Sequence, residues 1–181
     1  MAVAPGPTLE TERLILRPPA DVDLDAWAAL MADPVAARFI GGVQPRALVW
    51  RGMAAMAGSW ALHGFGMFSV IEKASGAWIG RIGPWRPDGW PGDEVGWGLL
   101  PSAQGKGYAV EAATATMDWA FDHLGWTDII HCIDPENVPS QQVAIRLGAT
   151  NRGPGQLPPP HEASKVELWG QTAAQWRARR R

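Results

Sequence analysis

The chain has 181 residues, a mass of 19.5 kDa, a formal net charge of -2 and a pI near 6.1. Its hydrophobic share of 46% and charged share of 19% exclude disorder as the dominant state, and its length, against the usual ~150 residues per domain, predicts one domain that needs no disulfide or metal to hold a core. The near-neutral charge argues against broad nucleic-acid binding, the lone Cys132 excludes a disulfide framework or a Cys-rich zinc site, and no run approaches the ~20 apolar residues of a membrane span.

Residues 1–8 read as a flexible tail. Met1 to Pro7 lacks a basic region followed by an apolar stretch, so a secretory signal is not expected and a cytoplasmic protein is the default. Thr11 to Arg17 alternates with period two, Leu14 and Leu16 on one face, and predicts a strand that Pro18 and Pro19 stop. Asp21 to Met31 carries apolar residues at helical spacing with Asp in its first turn. Pro45 to Leu62 predicts a second helix, with Trp50, Met53, Ala57 and Trp60 as its stripe and Gly64 at its exit. Met67 to Glu72, a turn at 74–76 and Ala77 to Gly83 read as a hairpin.

Asp93 to Leu100 is a strand weakened by Gly96 and Gly98, which predicts a bulge or another molecule's close approach. Gln104 to Gly107 is a glycine-rich turn that runs into a long helix, Tyr108 to Leu124. Asp128 to Ile133 is a strand, Pro135 to Leu147 a loop and helix closed by Gly148, Gly153 to Pro160 a proline-rich excursion and Val166 to Gly170 a last strand. Residues 172–181 are a basic tail or helix. This order predicts an α+β fold, a mixed sheet with helices on its faces.

The glycine-rich turn is the first feature that points to chemistry. Unpaired N–H groups and the positive dipole end collect at the helix start, and glycines let an anion approach the backbone, so a phosphate or pyrophosphate is the natural guest. The turn is neither a P-loop nor a dinucleotide fingerprint, and a plain strand-to-helix turn remains the alternative.

Gln104-Gly105-Lys106-Gly107-Tyr108-Ala109 resembles the Gln/Arg-x-x-Gly-x-Gly/Ala signature of the GNAT acetyltransferases. Thr11 to Arg17, Glu94 to Leu99, Asn137 to Ser140 and Ala144 to Ala149 are similar to segments of the RimJ/RimL-like branch, which acetylates ribosomal-protein N-termini. The resemblance covers about Leu9 to Trp169 and departs from the pattern at Arg146, Ala149 and the 153–160 loop. It implies one N-acetyltransferase domain over 9–171, built on a mostly antiparallel sheet splayed between the fourth and fifth strands. It also implies transfer of an acetyl group from acetyl-CoA to an amine, with a non-catalytic CoA sensor or scaffold, or another acyl-CoA, as the alternative.

On the same resemblance, backbone groups of Leu99 and Leu100 pair with the pantetheine arm, and the N–H groups of Gln104, Gly105, Lys106, Gly107, Tyr108 and Ala109 hold the pyrophosphate. Asn137 binds the arm or holds its turn. An ammonium must lose a proton before it attacks, and a departing thiolate accepts one. Glu94 is the candidate base, with a solvated or salt-bridged strand residue as the other reading. The family's usual tyrosine acid has no occupant here, because the only tyrosine, Tyr108, sits in the cofactor turn. Ser140 is left to serve the sulfur, or else to cap the fourth helix.

Glu111 reads as a first-turn helix carboxylate and His131 as a hydrogen-bonded core residue. Cys132 reads as buried, because direct transfer needs no thiol nucleophile. Arg81 and Trp85 are acceptor-side candidates. No histidine pair has metal-ligand spacing, so no metal is expected. The acceptor is open, no nucleic acid or membrane partner is expected, and apolar surface near the last strand leaves room for a homodimer.

Overall fold

The structure is a computed structural model that describes residues 5–180; the first four residues of the expected tail lie outside it. Eight strands and five helices follow in the order β1 (Leu9–Glu10), β2 (Leu14–Arg17), α1 (Leu24–Ala32), α2 (Arg46–His63), β3 (Phe68–Glu72), β4 (Trp78–Trp85), β5 (Glu94–Leu99), α3 (Tyr108–His123), β6 (Asp128–Ile133), α4 (Val138–Leu147), β7 (Thr150–Gly155), β8 (Val166–Thr172) and α5 (Ala173–Arg179). They form one sheet of order β1-β2-β3-β4-β5-β6-β8-β7. Every pairing is antiparallel except β5 with β6.

The period-two reading of β2 holds, since Leu14 and Leu16 are fully buried. Asp23, in a short 3-10 turn before α1, is buried because Arg17 grips it at 2.6 and 2.8 Å and Ser69 donates to it at 2.7 Å. The stripe of α2 needs correction: Val49, Met53 and Trp60 are buried, whereas Trp50 is 51% exposed. Helix α3 lays Ala112, Ala113, Thr116, Met117 and Ala120 against the sheet, and its three alanines let it approach β4 and β5 closely. A second core cluster, built on Trp27, Leu30, Met31, Val49, Met53 and Trp78, sits beneath α1 and α2.

Two strands lack a sequence signal. β1 is two residues long, and β7 carries Gly153 and Pro154 inside what reads as a proline-rich loop. β7 is the last strand of the sheet, with a register shift between Asn151 and Pro154. An edge strand tolerates a proline because one side of its backbone has no partner to serve. Of the expected basic tail or helix, Ala173–Arg179 is helical, capped by Thr172 and Gln175.

The sheet is nearly cut in two at its centre. β5 and β6 share a single register pair, Glu94 with Ile130, supported by Ile130 N–H donating to the Asp93 carbonyl at 2.9 Å. This is the expected gap between the fourth and fifth strands, renumbered by the extra β1. Among the described residues no helix is long and apolar enough to cross a membrane.

Candidate active site

Antiparallel bonding alternates along a strand, so one side of β5 is committed to β4 and the other faces the gap. The Leu100 N–H donates to the Ile79 carbonyl at 2.9 Å, which turns Gly98, Gly96 and Glu94 toward β4 and Val95, Trp97 and Leu99 toward β6. The Val95 carbonyl confirms the direction, because it meets His131 Nδ1 of β6 at 2.7 Å. Beyond that point the strands diverge, and the N–H and C=O of Trp97 and the N–H of Leu99 face the opening. The gap-facing residues are therefore Trp97 and Leu99, and the Leu100 amide that the sequence reading offered is spent within the sheet.

The glycine-rich turn follows β5. Gln104 Nε2 donates to the Leu99 carbonyl at 3.1 Å and ties the turn back to the strand. Gly105 and Gly107 have φ of +74° and +82°, a left-handed conformation that a side chain would strain, and Gly107 is the N-cap of α3. Glu111 pairs with Arg13 at 2.6 Å, and Arg13 donates to the Lys106 carbonyl at 3.0 Å, so the first turn of α3 is anchored to β2. Tyr108 lends the turn its backbone only. Its ring is buried, its hydroxyl donates to Glu72 at 2.6 Å, and that bond is the main reason its pKa is raised.

A cavity of about 830 Å³ lies where the strands part. Glu94 and Gly96 line it from one side, and Trp97, Asn137 and Ser140 line it from the other, so it passes through the sheet. Glu94 is only 6% exposed. Its carboxylate accepts from Trp90 Nε1 at 2.5 Å and from the Cys132 N–H at 3.0 Å, so it bridges the gap from β5 to β6. Burial pushes its pKa up to about 7, against the lowering effect of those two donors and of Arg81. A side chain at Gly96 would meet Met67 Cε at 2.8 Å, so glycine keeps the cavity open beside Glu94.

Ser140 does not cap α4. Asn137 does, accepting from the Ser140 N–H at 3.2 Å. Ser140 Oγ itself accepts from Trp97 Nε1 at 3.2 Å, which leaves its hydroxyl proton free to donate into the cavity.

Known proteins resemble this chain in sequence and fold. The family described as acetyltransferase (GNAT) domain matches residues 13–150. The chain belongs to the GNAT acetyltransferase family. It is 32% identical over 150 residues to the Bacillus licheniformis protein named "Uncharacterized N-acetyltransferase p20", covering 81% of this chain and 84% of that one. It is 36% identical over 86 residues to the Bacillus subtilis (strain 168) protein named "Uncharacterized N-acetyltransferase YnaD", where the match spans about half of each chain, 48% and 51%. Among solved structures, an acetyltransferase from Agrobacterium tumefaciens str. C58 superposes with a TM-score of 0.79 at 33% identity, covering 91% of this chain and 94% of that one.

Within this GNAT frame the remaining candidates sort by position. Arg81 lines the cavity, and so does Trp85. His131 is buried and neutral, its pKa lowered to about 4 by burial, and its ring bonds to Val95 across the vertex of the splay. That is the expected core role. Cys132 is half-buried rather than buried and lines the cavity; burial and then Glu94 push its thiol up, so it stays protonated. Lys106 is exposed on the turn. Among the described residues no group of three His, Cys, Asp or Glu is placed to hold a metal.

The residues missed by sequence reading are tryptophans. Trp90 and Trp97 donate to Glu94 and Ser140, yet Trp90 lies in a loop with no periodicity and Trp97 looks like a packing residue in its strand. The surplus of 11 Trp over 1 Tyr was the one available hint.

Proposed function

We propose that the chain transfers an acetyl group from acetyl-CoA to a primary amine of a protein or small molecule by direct attack. The cavity through the splayed sheet carries this reading, because it sets a buried carboxylate of pKa about 7 on one side and a free serine hydroxyl on the other. The chain fits the cosubstrate on its own features. The unpaired backbone of Trp97 and Leu99 suits the pantetheine arm, and the left-handed glycines at 105 and 107 open the N–H groups of 104–109 to a pyrophosphate. Acetyl-CoA supplies the activated thioester carbonyl. The segments similar to the RimJ/RimL-like branch support the cofactor side of this reading and leave the acceptor open.

Glu94 takes the ammonium proton, directly or through a water, and a base of pKa about 7 is matched to neutral pH. The amine lone pair then forms the C–N bond as the C–S bond breaks, and the electron pair leaves on sulfur. The Trp97 N–H, free in the gap, is placed to donate to the carbonyl oxygen as charge gathers there. Ser140 donates its hydroxyl hydrogen bond to the departing sulfur, held in line by Trp97 Nε1. Trp90 and the Cys132 N–H fix the Glu94 carboxylate in place.

The test is calorimetry of acetyl-CoA binding followed by a thiol-release assay over a panel of amines. Binding with thiol release on at least one amine supports the reading. Binding without release on any amine favours a non-catalytic CoA sensor, and no binding at high micromolar concentration removes both.

A further inference from the structure

Arg81 is a charge without a counter-ion. It stands on β4, is 9% exposed and lines the cavity. Among the described residues no carboxylate lies within 4 Å of its guanidinium. Its contacts are soft and neutral: Met67 Sδ at 2.9 Å, Met56 Sδ at 3.9 Å and the face of Trp27 at 5.7 Å. Nε is buried with no partner at all. Thioether sulfur is a weak acceptor, and a guanidinium carries five donors in a rigid fork made for carboxylates. Burial lowers its pKa to about 10, which still leaves it charged at neutral pH. Buried charges are normally paired, and this one is held ready with its pairing face unserved.

Its place in the cavity says what would serve it. Arg81 pairs with Gly98 across β4 and β5, and Glu94 pairs with Trp85 four register positions further along. Between them Gly96 lines the cavity with the Met67 methyl beside it, and its partner Gly83 is packed against Phe68 and the Gly66 carbonyl. The cavity thus has a proton acceptor at one end, a cation at the other, and Trp27, Trp85 and Trp90 along its walls. Glu94 and Arg81 each favour the other's charged form at a distance, but no contact within 4 Å joins them and the guanidinium fork is left unpaired.

Resting on the acyl-transfer reading above, we propose that the acceptor is a small amine that also carries a carboxylate, an amino-acid-like molecule whose carboxylate is bound by Arg81 while its amine faces Glu94. The anion supplies the partner that the protein withholds, and the distance from Arg81 to Glu94 selects the spacer between the two groups. An amine lacking the anion leaves the guanidinium buried and unpaired, which penalises binding more than a missing contact would.

The experiment uses matched pairs on the wild-type protein: glycine, β-alanine, 4-aminobutyrate and L-phenylalanine, each beside its primary amide. Binding is measured by calorimetry with CoA present, and turnover by thiol release. The expected result is that at least one acid binds about tenfold or more tightly than its amide, as a charge-assisted bidentate bond should provide, with a matching gain in kcat/KM. In Arg81→Met that advantage disappears while CoA affinity holds. Amides equal to or better than acids in every pair, or an acid advantage that survives in Arg81→Met, would overturn the proposal. The binding arm stands apart from turnover: if acetyl-CoA binds but no thiol is released, acyl transfer fails while the acid-against-amide comparison still decides the Arg81 site.

Discussion

The turn over residues 104–109 and the cavity between α1, α2 and the sheet meet at β5, yet they are built by opposite means. The turn works through backbone. Its N–H groups and left-handed glycines lie within six consecutive residues, and its one large side chain, Tyr108, points away into the core to reach Glu72. The cavity works through side chains brought from far apart, with Arg81, Trp90, Glu94, Cys132 and Ser140 spread over 60 positions of sequence. A backbone site tolerates exchange of side chains around it, whereas a side-chain site changes character with each one. A common donor site and a variable acceptor site are what such a division permits.

Four experiments press on this contrast. The largest effect belongs to Glu94→Gln, which is expected to lower turnover by about 10² to 10⁴-fold, the usual worth of a general base. It should leave CoA affinity unchanged, and a loss of CoA affinity by calorimetry would show that the two sites are not separable. In the wild type, kcat/KM should rise with pH through an inflection near 7 as Glu94 loses its proton.

The second effect is on stability. The folded pKa of Glu94, about 7, lies above the ordinary 4.5, so its contribution is full below 4.5 and is lost as pH rises toward 7. Denaturant unfolding at pH 5 and pH 8 should show Glu94→Gln gaining up to about 3 kcal/mol on the wild type across that interval. His131 works in the other direction, since its depressed pKa withdraws stability as pH falls from 6.5 toward 4. A wild-type curve without these opposing slopes, or slopes that persist when each residue is substituted, would contradict the burial of both.

Next comes the turn itself. Gly107→Ala places a side chain at φ +82°, a strain of about 1–2 kcal/mol, and should weaken CoA by roughly five- to tenfold with the acceptor KM unmoved. The smallest effects separate Ser140 from Asn137. Ser140→Ala should lower kcat about tenfold at constant melting temperature, whereas Asn137→Ala should remove about 1 kcal/mol of stability through the lost cap. A melting-temperature drop in Ser140→Ala would return that residue to a structural role.

The same contrast explains what could be read from the chain alone. Gln104 to Ala109 was legible because its chemistry is contiguous, and β2, the hairpin, α3 and β6 because apolar periodicity survives in a half-buried element. Glu94 was legible as a carboxylate beside the gap. Its burial was not, because Trp90 and Cys132 that hold it belong to a loop and another strand. Leu100 was misassigned because the direction of its N–H depends on strand register, which one strand's residues do not encode. The cap of α4 moved from Ser140 to Asn137 because either side chain can satisfy a helix start, and three residues decide between them. Trp50 fits the helical period and still faces outward, since period alone does not say how wide a stripe the core will cover.

The near-cut in the sheet has one more consequence, in isotope exchange. The Trp97 and Leu99 amides lie mid-strand in the protein's centre, where protection against deuterium is normally greatest, yet neither is paired across the gap. They should exchange like loop amides in the free protein and slow down when the pantetheine arm closes the seam, while the neighbouring Gly98 amide, committed to β4, scarcely changes.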